Sequence, residues 1–222
     1  MRAVIPRILH QTHSTREAYV ALRRRLPDLW RVRHPGWEYR FHDDVACRDL
    51  VVAERPDLLA LYDGFPLQVQ RTDLWRMLAL RTHGGFYADL DVVFRRPLDD
   101  LCDLECVVAE EKTLDAEALA RHGHEHALRV ANYMLGAAAG HPFLDALLDA
   151  MVAACRPIRS EEDVLESTGP GLVTRVYHQA WREGRGVTLL PNPGVRCRNP
   201  SCGSSCQFGD YATHLHLGSW RW

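Results

Sequence analysis

Short apolar runs alternate along this chain with longer amphipathic stretches, the pattern of strands interleaved with helices. Residues 4–9 (Val-Ile-Pro-Arg-Ile-Leu) read as a buried strand entering a polar turn, His10-Gln11-Thr12-His13, with Ser14 or Thr15 placed to cap a helix to about Leu26. Pro35-Gly36 marks a turn before Trp37-Glu38-Tyr39-Arg40-Phe41, whose alternating aromatics predict a half-buried strand, and Asp43 and Asp44 cap the next helix. The most regular helix is predicted over residues 67–83, with Leu74, Trp75, Met77, Leu78 and Leu80 on its apolar side and Gly84-Gly85 ending it. Strands are predicted at 86–88, 92–94, 104–109, 133–138 and 187–190, and helices at 142–155 and 171–183. The alternation implies an α/β sandwich around a mostly parallel central sheet, with no linker or repeat, and so a single domain over 1–222. Two stretches break the pattern. Residues 111–128 are helical in propensity but rich in charge and histidine, and residues 191–210 hold Pro, Gly, Asn, Ser and three cysteines; both are expected to be surface loops or lids.

Charge excludes one class of work. Twenty-seven Lys plus Arg against 29 Asp plus Glu is too balanced for a chain that mainly grips nucleic-acid phosphates. Lys112 is the single lysine, so a mechanism needing a catalytic lysine has one candidate. No stretch is apolar for the roughly 18 residues a bilayer span requires, and the opening residues lack a signal-peptide apolar region, so a cytoplasmic location is expected. The seven cysteines are odd in number and mostly scattered, which is not a disulfide framework.

The sharpest chemical signal is Gly84-Gly85-Phe86-Tyr87-Ala88-Asp89-Leu90-Asp91. Two carboxylates flanking one residue at the end of an apolar strand call for a compensating cation, because desolvating either alone costs several kcal/mol. Hard oxygen ligands suit Mg²⁺ or Mn²⁺, which in turn bridge phosphate oxygens. Asp73 and Arg76, three apart on the preceding helix, share a face, and the turn at the glycine pair brings that face back toward Asp89. An acid and a guanidinium there can hold sugar hydroxyls.

These residues, with Ile5 to Thr12, His34 to Arg40, Gln70 to Arg76, Asn132, His141-Pro142, Thr168 to Gly171, His214 and Gly218-Ser219-Trp220, resemble the DXD-containing sugar-transferase family of glycosyltransferases over nearly the whole chain. The resemblance implies a GT-A-type fold and a metal-dependent, retaining transferase using a UDP- or GDP-sugar, with a glycan, glycolipid or small-molecule acceptor. It implies that Leu9, His10, Gln11 and Thr12 contact the nucleotide, that Asp73 and Arg76 bind donor sugar hydroxyls, and that Asp89 and Asp91 serve the metal, Asp91 directly. By likeness to clostridial toxin glucosyltransferases, Ser219 and Trp220 close over metal and pyrophosphate, with His214 beside them as metal ligand or phosphate contact. Asn132, opening an apolar strand, is a candidate for sugar hydroxyls, and loops 111–128 and 191–210 for the acceptor side. Relatives commonly carry Trp where this chain has His13. Without a membrane anchor the chain resembles a bacterial-type stand-alone catalytic domain, with peripheral membrane contact as an option.

Other signals weigh less. Cys197, Cys202 and Cys206, at spacings of five and four, lack the paired two-residue gap of ordinary zinc knuckles and read as thiols in a loop, although His214 or His216 could complete a zinc site. His122, His124 and His126 read as a solvated stripe, and Trp30, Trp37, Trp75 and Trp181 as core. The segment Tyr87 to Phe94 also looks like the aspartate nucleophile of haloacid-dehalogenase-type phosphatases. Those enzymes need a later acid pair after an apolar strand, and Glu161-Glu162-Asp163 does not follow one. A catalytically idle nucleotide-sugar-binding module is the third option.

Overall fold

The computed structural model describes residues 3–23, 29–182, 185–194 and 206–216. In chain order these give β1 (Ile8–Thr12), α1 (Arg16–Arg23), α2 (Leu29–Arg33), β2 (Glu38–His42), α3 (Asp44–Glu54), α4 (Leu59–Gly64) and α5 (Gln68–His83). Then come β3 (Gly85–Ala88), β4 (Val92–Phe94), β5 (Cys106–Thr113), α6 (Ala116–His122), β6 (Leu128–Val130) and β7 (Met134–Ala137). The last part holds α7 (Pro142–Ala153), α8 (Glu161–Ser167), α9 (Pro170–Val176), β8 (Val187–Leu190), β9 (Gln207–Phe208) and β10 (Ala212–His214).

The large sheet runs β2-β1-β3-β7-β5-β6, with β8 also paired to β5. β1 lies parallel to β2 and β3, and β8 parallel to β5, whereas β7 runs antiparallel to both β3 and β5, and β6 antiparallel to β5. Five strands therefore point one way and β7 and β6 the other, so the mostly parallel α/β sandwich expected from the sequence is what the chain forms. A small antiparallel sheet, β4-β10-β9, sits beside it.

Alternation along the strands sends successive side chains to two cores, one on each face. From β3, Tyr87 joins a core with Trp75, Leu78, Phe143 and Leu147, while Phe86 and Ala88 join one with Leu9, Trp30, Phe94 and Phe208. α5 is buried along most of its length, which is why its apolar residues do not form a clean stripe. It stops at Gly84 (φ 66°), where a Cβ would lie 2.8 Å from both the Ala139 amide nitrogen and a Pro6 ring carbon, so only glycine fits. Gly85 (φ 103°) likewise brings β3 hard against Ile8, whose carbonyl oxygen would be 2.7 Å from a Cβ. This tight joint returns the chain along β1 and aims the end of β3 back beside α5.

Three expectations are corrected. The first strand is Ile8–Thr12, not residues 4–9: the supposed polar turn is its buried C-terminal half. Polar residues are tolerated there because each finds a partner. His10 Nε2 bonds the Gly84 carbonyl at 3.0 Å, Gln11 Nε2 donates to the Ala88 and Asp89 carbonyls at 3.2 Å, and Thr12 Oγ1 donates to the His42 carbonyl at 2.7 Å. Residues 111–128 are not simply a loop: β5 continues to Thr113, Asp115 caps α6, and β6 returns to pair with β5. The helix expected over 171–183 is regular only through Val176 and then widens into a π turn, Tyr177–Trp181. Among the described residues, no helix is long and apolar enough to cross a membrane.

Candidate active site

A cleft of about 550 Å³ opens at the C-terminal ends of β1 and β3. Of the residues expected at the site, Thr12, Asp73, Arg76, Asp89, Asp91, Asn132 and His214 line it. Leu9, His10 and Gln11 do not: they are fully buried in β1, and Gln11 instead holds the backbone on which Asp89 sits. Ser219 and Trp220 lie outside the described residues, as do Cys197 and Cys202.

The inner wall is an ion-pair cluster under the cleft floor. Arg76 Nη2 is 3.0 Å from Asp73 Oδ1 and its Nη1 is 3.2 Å from Asp89 Oδ1 and 2.5 Å from the Asn132 carbonyl. Asn132 Nδ2 donates to Asp73 Oδ1 at 3.1 Å, and Thr168 Oγ1 donates to Asp73 Oδ2 at 2.8 Å. Tyr87 donates its hydroxyl to Asp89 Oδ1 at 2.6 Å while its ring lies 4.3 Å from the Arg76 guanidinium carbon. Burial pushes the Asp73 carboxyl up to about 6 against the pull of Arg76, Thr168 and Asn132. Burial also opposes the charge on Arg76, but Tyr87 and the acids Asp89, Asp73 and Asp91 outweigh it and hold the guanidinium above its usual range. The arginine is the fixed charge of this pair and Asp73 the member that titrates.

The outer wall is the turn from β3 into β4 and the strand that covers it. Asp89 N donates to the Tyr133 carbonyl at 2.8 Å and Val92 N to the Asp89 carbonyl at 3.1 Å, which fixes Asp89 and Asp91 at the rim. β10 pairs antiparallel with β4, setting His214 opposite Val92, and Leu215 N donates to the Asp91 carbonyl at 2.9 Å. His214 Nε2 therefore lies 3.1 Å from Asp91 Oδ1, with its ring stacked 4.4 Å from Tyr133. Burial disfavours the charged imidazole, but the hydrogen bond to Asp91, its charge and that of Asp89 outweigh burial and raise the His214 pKa. One ligand atom each from Asp89, Asp91 and His214 lies within 4.8 Å of the others. Asp89 Oδ1 is taken by Tyr87 and Arg76, which leaves Oδ2 as the oxygen that can serve an ion. Two carboxylates in this spacing form a hard-oxygen donor set, which fits Mg²⁺ or Mn²⁺.

Sequence reasoning missed Tyr87 and Thr168 as parts of this site. Tyr87 reads as an ordinary strand residue. Thr168 stands in a Thr-Gly-Pro-Gly turn that signals the start of α9 but not a partner 95 residues away.

A profile of the family described as "Glycosyltransferase sugar-binding region containing DXD motif" matches residues 21–108, which include Asp73, Arg76, Asp89 and Asp91. Inositol phosphoceramide mannosyltransferase 3 of Schizosaccharomyces pombe is 31% identical over 185 residues, covering 82% of this chain and 47% of that protein. The chain belongs to the DXD-containing glycosyltransferase family. With the sheet described above, membership makes the fold the GT-A-type sandwich that the resemblance implies. The initiation-specific alpha-1,6-mannosyltransferase of the same yeast is 24% identical over 258 residues, covering 99% of this chain and 64% of that protein. The chain thus spans about half to two-thirds of the length of these relatives. Among solved structures, PaToxG Glycosyltransferase aligns with a TM-score of 0.47 at 15% identity, over 81% of this chain and 70% of that one. Both curated relatives are yeast proteins, so the bacterial-type enzyme expected from the sequence finds no support in them.

Proposed function

We propose that this DXD-family chain transfers a hexosyl or N-acetylhexosaminyl group from a UDP- or GDP-sugar to an acceptor hydroxyl in this cleft, with a divalent cation and with retention of anomeric configuration. The observation that carries the reading is the convergence of Asp73, Arg76, Asp89 and Asp91 on one cleft from α5 and the β3–β4 turn.

Each residue then has a task. Asp89, through Oδ2, and Asp91 hold the cation, while His214 donates from Nε2 to Asp91 and fixes its orientation. When bound there, Mn²⁺ or Mg²⁺ offsets the negative charge that grows on the departing diphosphate, the largest electrostatic need of an oxocarbenium-like transition state. Asp73 retains acceptor capacity, since a carboxylate offers about four lone-pair sites, and accepts from donor sugar hydroxyls. Arg76 holds Asp73 and Asp89 in place and supplies positive charge beneath the sugar. Thr12 and His13 line the end of the cleft beside β1, where the nucleotide fits. Asp73, Asp89 and Asp91 are already engaged by Arg76, Asn132, Thr168, Tyr87 and His214, so none is presented as a covalent nucleophile. Front-side displacement, with the leaving phosphate taking the acceptor proton, accounts for retention. Both relatives are named as mannosyltransferases, which favours a mannosyl donor, and the name of the first favours a glycolipid acceptor.

The test is release of nucleoside diphosphate from a panel of UDP- and GDP-sugars with and without Mn²⁺. Slow release that requires the metal and disappears in Asp91→Ala supports the transferase. Cleavage of an aryl phosphate instead would point to the phosphatase alternative, and thermal stabilisation by donor without turnover to a binding module. The anomer of the product, read by NMR, decides retention.

A further inference from the structure

We propose that Cys206, His214 and His216 form a second metal site, specific for a soft divalent ion such as Zn²⁺, at the base of the β9–β10 hairpin. Cys206 is fully buried, and its Sγ lies 3.2 Å from His216 Nδ1. A ligand atom from each of the three residues lies within 4.8 Å of the others, a sulfur and two imidazoles. This donor set differs in kind from the oxygens of Asp89 and Asp91, and thiolate with imidazole selects zinc over magnesium or manganese.

Two further observations point to the same place. Among the described residues, Cys206 (φ 50°) and His216 (φ 56°) are the non-glycine residues with left-handed backbone. Such a conformation persists only where the surroundings over-determine it, and here both cases turn two side chains onto each other across the open end of one hairpin. The backbone shows the convergence directly, since His214 N donates to the Cys206 carbonyl at 2.8 Å. The second observation is His214 itself. Its Nε2 faces Asp91, while its Nδ1 is buried with no hydrogen-bond partner among the described residues. A ligating histidine that gives its other ring N–H to a carboxylate is the usual arrangement at zinc, and Asp91 is that carboxylate. Zinc takes four ligands in structural sites, so these three leave one position for another donor. Binding converts the Cys206 thiol to thiolate and releases its proton to solvent.

The consequence is positional. An ion there clasps residues 206 and 216 at the two ends of the hairpin whose middle, β10, pairs with β4 next to Asp91. It would hold His214 against the hard-cation site without taking part in transfer.

The experiment uses the whole chain, stripped of metal and loaded with Co²⁺ as a spectroscopic substitute for zinc. The expected result is one strong thiolate-to-cobalt charge-transfer band that titrates with one equivalent of metal and is displaced by Zn²⁺. It should vanish in Cys206→Ser, weaken in His216→Ala and survive in Asp91→Asn. No such band in the unaltered chain overturns the proposal, as does a band that persists in Cys206→Ser. The first outcome needs no variant to fold. The transferase reading stands or falls separately: metal-dependent donor hydrolysis without a charge-transfer band removes only the zinc site, and the band without hydrolysis removes only the transferase.

Discussion

On one wall of the cleft, the Asp73 and Arg76 side chains are each 3% exposed and pair with each other and with partners from the β3–β4 turn, the segment before β7 and the turn before α9. On the other, the side chains of His214 and Asp91 are 14% and 15% exposed and pair with each other, the His214 ring also stacking on Tyr133 and His216. Both walls carry polar chemistry, but the first is set into the core and the second is carried by a rim turn and a small edge sheet. A buried charge must be matched in place or the fold loses stability, so the inner wall is fixed before any ligand arrives. The outer wall, less deeply set and matched by one His214–Asp91 pair, is under a weaker obligation. Substitutions on the two walls should therefore separate, with the inner ones damaging fold and chemistry together and the outer ones damaging chemistry far more than fold.

The largest effect is expected for Arg76→Ala. It removes the shared partner of Asp73, Asp89 and the Asn132 carbonyl and strands a buried carboxylate, which costs about 3–5 kcal/mol. Urea denaturation checks this, and a loss below about 1 kcal/mol would mean the inner wall is not the preorganised element we take it to be. Asp91→Ala is the matching test on the rim. Donor turnover should fall by about 10²-fold or more, while the unfolding free energy falls by only about 1–2 kcal/mol, the loss of one charged hydrogen bond to His214. A strongly destabilised Asp91→Ala would erase the contrast between the walls.

How much of this could be read beforehand differs between the walls for the same reason. Asp73 and Arg76 stand at i and i+3, and Asp89 and Asp91 flank one residue, so local spacing alone places each pair on one face or one turn. The convergence of the two pairs follows from the glycine joint at Gly84-Gly85, which was also legible. Thr168 and Asn132 reach Asp73 across 95 and 59 residues, and no local pattern encodes such a meeting. β1 was misplaced for a related reason. His10, Gln11 and Thr12 look like a polar turn until β2 and β3 supply their partners, after which burial costs little. The α/β alternation was readable because apolar runs and glycine or proline breaks are local. The excursion over 111–128 was not, since its charges hide a strand pairing that only β5 can provide.

The inner wall also rests on β1, which gives a pH test of smaller size. His10 stacks between His42 and His83, with ring centroids 5.6 and 5.9 Å away, and bonds the carbonyl of the joint residue Gly84. Burial, the leading cause, pushes His10 down to about 3 and His42 to about 4. The unfolded chain protonates both near the ordinary histidine value of about 6.5, so it binds more protons than the folded chain below that pH. The stabilising contribution is thus complete above about pH 6.5 and is lost as pH falls toward the folded values. For His10 alone the step from pH 6.5 to 5 amounts to about 2 kcal/mol. Asp73 acts with the opposite sign, because its raised value of about 6 favours protonation in the folded chain and returns some stability over the same window. Urea midpoints should therefore drop from pH 7 to pH 5, and drop more steeply in Asp73→Asn. A flat profile in the unaltered chain would show that the stack is not held neutral.

The smallest expected effect probes whether the inner wall's geometry, and not only its charge, matters to the donor. Thr168→Val keeps the shape of the side chain but deletes the hydroxyl that donates to Asp73 Oδ2. One hydrogen bond to a buried carboxylate is lost, worth about 1–2 kcal/mol of stability. Arg76 and Asn132 remain on the other oxygen, so the charge stays compensated while the carboxylate gains freedom to turn. If Asp73 receives sugar hydroxyls, that freedom should raise the donor KM a few-fold with little change in kcat or in the metal requirement, because the rim carboxylates are untouched. A fall in kcat at constant KM would instead place Asp73 nearer the reacting bond, and an unchanged KM with the expected loss of stability would confine Thr168 to the fold.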